Sequence, residues 1–152
     1  MKRLMIAASH GGHWAEALRV LPAFPLNSPD HEFIFVCTEP EHPPHTAGGS
    51  STVVVPDCNA GTPVRLLKCI LACGASVRRT KPALIFSTGA APGLIAIAWG
   101  RLCGAHTIWL DSIANTEQLS LSGKLARYLA HQCFTQWEHL TDSRTSYLGT
   151  VL

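Results

Sequence analysis

The chain is 152 residues long, which accommodates one domain with a sizeable buried core. Charged residues make up 14% of it, against about a quarter in ordinary globular chains, and the formal net charge is +2. That excludes a basic nucleic-acid-binding surface and predicts apolar surface for a partner protein or a bilayer to cover.

Met1-Lys2-Arg3 ahead of residues 4–8 imitates the opening of a signal peptide, but the apolar run stops at Ser9-His10-Gly11-Gly12, too short for a signal core. No segment reaches the roughly 18 uninterrupted apolar residues of a spanning helix. Residues 4–8 read instead as a buried strand closed by a glycine turn. Residues 13–21 follow as a helix, with Trp14, Leu18 and Leu21 on one face and Pro22 and Pro25 ending it. A second strand spans 33–37. Pro40, Pro43, Pro44, Gly48 and Gly49 make 39–50 a loop, and 52–55 is a third strand closed by Pro56. A long helix begins at Pro63, with Thr62 as its cap, and runs to about Thr80. Residues 83–86 form a fourth strand with a loop over 89–93. A helix over 94–103 ends at Gly104, and 107–110 is a fifth strand. Residues 119–131 are a helix and 133–135 a short sixth strand. The tail from Asp142 is left unassigned. Cys37, Cys58, Cys69, Cys73, Cys103 and Cys133 include no C-x-x-C pair and mostly sit in apolar runs, as reduced core thiols do.

Bare apolar strands alternating with helices predict a single α/β domain: a parallel sheet with helices on both faces. Ligands of such sheets bind beyond the carboxyl ends of the strands. Small and polar residues gather there: Ser9 to His13, Thr38-Glu39, Ser87 to Pro92 and Asp111 to Thr116. Gly11 and Gly12 allow close backbone approach, and the helix start behind them offers free N–H groups, which suits a phosphate or diphosphate or simply makes a turn. The G-x-G-x-x-G dinucleotide pattern and the P-loop Gly-Lys-Ser/Thr are both absent. His13 can reach the same space as a base or a phosphate ligand, or pack locally. Glu16 reads as a complement to the helix start. Asp111, at a strand end, is either a second candidate base or a loop-bracing carboxylate. His10 and His13 make no convincing metal pair, and nothing in the sequence requires a metal or a cofactor.

The ordered set Ser9-x-Gly11-Gly12-His13-x-x-Glu16, Lys81-Pro82-x-x-Ile85-x-Ser87-Thr88-Gly89-Ala90, Gly104-Ala105, Trp109-x-Asp111-Ser112, Leu119-Ser120-x-Ser122-Gly123-Lys124 and Thr135-Gln136-Trp137 resembles bacterial exopolysaccharide glycosyltransferase subunits of the PssD type. These are similar to the membrane-anchoring subunit of the eukaryotic dolichol-linked N-acetylglucosaminyltransferase and to the N-terminal half of the peptidoglycan lipid-linked enzyme. The resemblance runs from about residue 3 to residue 149. It implies the acceptor half of an inverting GT-B enzyme divided between two chains. A separate chain would bind the UDP-sugar, and a polyprenyl-diphosphate-linked acceptor would lie at Gly11, Gly12 and His13.

Apolar Leu66, Leu67, Ile70 and Leu71 on the helix from Pro63, with Arg65 and Lys68 beside them, suit either a membrane interface or a core helix with solvated basic ends. The Trp99 helix reads as core. The sequence thus predicts a Rossmann-like domain with strand order near 3-2-1-4-5-6, lying peripherally on the cytoplasmic face of the inner membrane. His13 and Asp111 are the candidate catalytic residues. Ser9, Gly11, Gly12, Thr88, Gly89, Ala90 and Ser112 are the candidate acceptor-phosphate contacts. The rival is a non-catalytic membrane scaffold that recruits the donor-binding chain.

Overall fold

The computed structural model describes residues 1–151. Seven parallel strands form one sheet in the order β3-β2-β1-β4-β5-β6-β7. They are β1 (Lys2–Ala8), β2 (His31–Cys37), β3 (Ser50–Val54), β4 (Leu84–Gly89), β5 (His106–Leu110), β6 (Gln132–Thr135) and β7 (Ser146–Tyr147). The predicted order holds for the first six, and β7 extends the edge from the tail left unassigned in the sequence. Four helices connect them: α1 (Gly12–Val20), α2 (Pro63–Thr80), α3 (Ala90–Leu102) and α4 (Leu121–Leu129).

The strand alternation splits the core into two layers. Met5, Ala7, Ile34, Val36, Ile85 and Trp109 face one way and pack with Cys69, Cys73 and Val77 of α2, Ala96 and Ile97 of α3 and Ala126 of α4. Leu4, Ile6, Ala8, Phe33, Phe35 and Phe86 face the other way, against Trp14 and Ala17 of α1. Both faces of β1 are buried, which is why its sequence is a bare apolar run rather than an alternating one.

The helices of the first layer approach closely where glycines remove side chains. A methyl on Gly74 would strike the Trp99 indole, whose Nε1 donates to the Ile70 carbonyl at 2.9 Å. Trp99 is therefore wedged between α2 and α3 rather than presented to an interface. Five of the six cysteines are buried and all six are free thiols. Burial pushes Cys58 and Cys133 up to about 12, so both remain protonated at neutral pH.

Several boundaries differ from the sequence reading, and two of the differences bear on the site. Residues 90–93 are not a loop: β4 runs through Gly89 and α3 starts at Ala90. Pro92 is tolerated because the first helical turn needs no N–H partner, and Gly93 packs on Ser87 instead of breaking the helix. The fourth helix is shorter than 119–131, because Ser120 leaves the helix to cap it, its Oγ accepting from the Gly123 amide at 2.8 Å.

Candidate functional site

The carboxyl ends of β1, β4 and β5 open onto a cleft of about 340 Å³ lined by Gly12, His13, Ala90, Ser112, Ala114, Asn115, Ser120, Leu121 and Ser122. Three helices start at it: α1, α3 and α4, the last capped by Ser120. Neither α1 nor α3 has a side-chain cap, so their first N–H groups stay available to a ligand. Gly11, at φ 92, makes the turn from β1 into α1. Nothing lies within 4 Å of where a Cβ would sit on Gly12, so the space in front of the α1 start is open. Ala90 carries φ 64 in the turn from β4 into α3, a conformation costing an alanine about 1–2 kcal/mol and held in place at the cleft wall.

His13 is fixed by a reciprocal pair of contacts. Its Nδ1 lies 3.1 Å from the Thr88 carbonyl, and the Thr88 hydroxyl donates to the His13 carbonyl at 2.6 Å. A carbonyl only accepts, so Nδ1 carries the proton in the neutral ring and Nε2 is left as the basic nitrogen. The imidazole lies over Gly89, where any side chain would collide with it. Thr88 and Gly89 are both buried. They support His13 from behind and do not line the cleft.

Asp111 is 1% exposed, and four donors converge on its carboxylate. Oδ1 accepts from Ser120 Oγ at 2.6 Å and Trp109 Nε1 at 3.2 Å, and Oδ2 accepts from the Ser120 amide at 2.9 Å and Asn115 Nδ2 at 3.1 Å. Gly123 leaves room for it, since a methyl there would overlap the carboxylate. The group closes the loop from β5 to the cap of α4.

Ser112 lines the cleft beside it and donates to Glu16 Oε1 at 2.9 Å, and the Ile113 amide donates to the same oxygen at 3.1 Å. Glu16 is 6% exposed, and its Oε2 is buried without a hydrogen-bond partner. It therefore does more than complement the α1 start: it ties the helix that carries His13 to the β5 loop. Gln136 Nε2 donates to the Asp111 carbonyl at 3.2 Å and Trp137 Nε1 to the Ile113 carbonyl at 2.8 Å, which fixes the same loop from β6.

Of the nine predicted catalytic and phosphate residues, the cleft brings together Gly12, His13, Ala90 and Ser112, with Gly11 exposed at its α1 edge. Ser9 is half-buried and outside the lining. Ala114 and Asn115, read only as part of the polar strand end, also line the cleft, as do Ser120, Leu121 and Ser122, which were missed as cleft residues. The signal for Ser120 was its place as a capping serine three residues before Gly123. His10 turns away to Glu41, 2.7 Å from its Nδ1. Among the described residues no group of three histidine, cysteine or carboxylate side chains is arranged to hold a metal.

On α2 the six predicted membrane residues divide. Leu66 and Ile70 pack against the core, while Leu67 and Leu71 are 58% and 62% exposed. Val64, 67% exposed, extends their stripe, and Arg65 and Lys68 stand exposed beside it. No helix among the described residues is long and apolar enough to cross a membrane.

The family model described as "Oligosaccharide biosynthesis protein Alg14 like" matches residues 54–151, more than half of the chain. The chain belongs to the Alg14-like family. No curated protein sequence matches this Alg14-like chain significantly. Among solved structures, MurG of Acinetobacter baumannii superposes with a TM-score of 0.70 at 14% identity, over 97% of this chain and 45% of that one. UDP-N-acetylglucosamine 2-epimerase of Rickettsia bellii gives 0.68 at 12%, over 99% and 45%. The corresponding epimerase of Methanocaldococcus jannaschii gives 0.65 at 10%, over 97% and 45%. The Alg14-like chain thus spans under half the length of these structures, and its fold is the Rossmann-like N-terminal half of a GT-B architecture.

Proposed function

We propose that this chain is the acceptor-binding half of a two-chain inverting glycosyltransferase. It works with a separate UDP-sugar-binding chain, on a polyprenyl-diphosphate-linked acceptor, in exopolysaccharide assembly. The observation that carries the reading is His13: a half-buried imidazole in the cleft, with one nitrogen committed to the Thr88 carbonyl and the other left basic. An inverting transfer needs a base to take the acceptor hydroxyl proton as that oxygen attacks the sugar carbon and the nucleoside diphosphate departs. His13 Nε2 has the tautomer for that step. The carboxylate of Asp111 is occupied by four donors, so its role is to shape the wall rather than to take the proton. The open space before Gly12 and the uncapped starts of α1 and α3 provide N–H groups for the acceptor's phosphates.

Membership of the Alg14-like family supports a separate partner chain. The exposed Val64–Leu67–Leu71 stripe with Arg65 and Lys68 supports peripheral contact with the cytoplasmic face of the inner membrane, where such an acceptor is displayed. The test is a transfer assay with a radiolabelled UDP-sugar and a polyprenyl-diphosphate-linked acceptor, using this chain, its partner chain and the two together. Product is expected only from the pair. Product from the partner alone would reduce this chain to a scaffold, and product from this chain alone would end the divided-enzyme reading.

A further inference from the structure

A second recess, of about 560 Å³, lies at the opposite edge of the sheet, where β5, β6 and β7 begin. Arg101 from the end of α3, Arg127 and Tyr128 from the end of α4, His131 before β6 and Arg144 before β7 line it. The carboxylate beside it is Asp142, whose Oδ2 is held by Arg127 at 2.6 Å. Among the described residues no carboxylate lies within ion-pair distance of Arg101 or Arg144.

The hydrogen bonding is also short of acceptors. His131 Nδ1 faces the Thr107 amide at 3.1 Å and the Thr107 hydroxyl at 2.9 Å, while its Nε2 faces the Arg101 guanidinium. If Nδ1 accepts from the amide, Nε2 carries the proton and confronts an arginine donor. If Nδ1 carries the proton, it confronts the amide. Either tautomer leaves donor against donor. Partial desolvation, then Arg101, then the stacked His106 hold His131 below the usual histidine range, so the ring stays neutral beside the arginines. The carboxyl ends of α3 and α4 account for cations at Arg101 and Arg127. They do not account for Arg144, which comes from a loop. Tyr128 spaces Arg127 and Arg144, its ring 5.0 and 4.9 Å from their guanidinium carbons.

We propose that this recess binds a phosphate group, at a site separate from the cleft and independent of the transferase reading. Arginine forks pair with phosphate oxygens through charge-assisted bonds, and a polyoxygen anion supplies the acceptors that Arg101, His131 and Arg144 lack. The recess is far larger than one ion, so the phosphate belongs to a bigger molecule. Exposed Leu102 and Leu129 adjoin the lining, which makes a lipid headgroup one source and a soluble phosphate ester the other.

The test uses the full chain and nuclear magnetic resonance of the His131 ring. Inorganic phosphate, added at constant ionic strength, is expected to shift the ring resonances saturably and to raise the titration midpoint. Arg101→Gln/Arg144→Gln should weaken that binding at least about tenfold, the loss of one or two charge-assisted bonds. Arg144→Gln alone, which leaves the contacts of His131 intact, should weaken it as well. A response that does not saturate, that chloride reproduces, or that Arg144→Gln leaves unchanged overturns the site. Vesicles of phosphatidylcholine with and without phosphatidylglycerol separate the sources. Loss of phosphatidylglycerol-dependent binding in the double variant identifies a headgroup. Unchanged vesicle binding with a lost phosphate response identifies a soluble ester.

Discussion

His13 and Thr88 hold each other across two neighbouring strand ends: the imidazole Nδ1 lies 3.1 Å from the Thr88 carbonyl, and the Thr88 hydroxyl donates to the His13 carbonyl at 2.6 Å. The residues are 75 positions apart in sequence, and β1 and β4 are adjacent in the sheet. The pairing fixes both the ring plane and the tautomer, two requirements of a base that must meet a hydroxyl at one point in space.

His13→Ala in the assembled two-chain enzyme should lower turnover about 10²–10⁴-fold, the usual contribution of a positioned base. Stability should change little, since the ring is half-buried at a cleft. Gly89→Ala should lower turnover too, because its methyl would displace the ring. Steady-state rates and thermal melting of both variants check this. A His13→Ala enzyme with near wild-type turnover removes the base from this chain.

Asp111→Asn should be a stability variant. Each carboxylate oxygen faces a donor that cannot accept, Trp109 Nε1 on Oδ1 and the Ser120 amide on Oδ2, so either orientation of an amide sets its NH₂ against a donor. Leaving buried donors unmatched costs about 1–3 kcal/mol each. Denaturant unfolding should show the loss. Normal stability combined with abolished turnover would instead make Asp111 the base.

Glu16→Ala should loosen the β5 loop without touching His13. It deprives the buried Ser112 hydroxyl and the Ile113 amide of their shared acceptor, at about 1–3 kcal/mol. Hydrogen exchange at Ile113 should rise well above wild type. Glu16→Gln, which keeps a carbonyl oxygen at that position, should restore most of the protection. Unchanged exchange in Glu16→Ala would show that Gln136 and Trp137 suffice to hold the loop.

The isolated chain should bind UDP-sugars weakly. It spans 45% of the MurG chain it superposes on, and half a GT-B cleft lacks the other wall. Calorimetry on the lone chain and on the pair measures this. Micromolar affinity of the lone chain would contradict the divided cleft.

Vesicle binding through α2 should be partly electrostatic. Each basic residue near an anionic surface contributes about 1 kcal/mol, screened over a Debye length. Flotation with anionic vesicles should fall with rising salt and with Arg65→Gln/Lys68→Gln. It should fall further with Leu67→Asp/Leu71→Asp, which removes the exposed apolar contacts. Salt-insensitive binding to neutral vesicles would show the charges to be incidental.

The sequence by itself determined the alternation of strands and helices, because a strand buried on both faces must be an apolar run, as residues 4–8 and 33–37 are. It also located the polar strand ends where His13, Ala90 and Ser112 meet, and it placed the long helix with its correct start and end. Tertiary structure decided what those polar residues touch. Asp111 read as a candidate base or a loop brace, and only the fold brings Ser120, Asn115 and Trp109 onto its carboxylate, because hydrogen-bond partners up to nine residues away around a loop leave no periodic trace. Glu16 became a link to Ser112, 96 residues distant, only when β1 and β5 were set on either side of β4. The outward stripe of α2 was equally hidden. Leu66 and Leu67 are chemically identical neighbours, and a 100° step around the helix axis separates them, sending one to the core and the other to solvent.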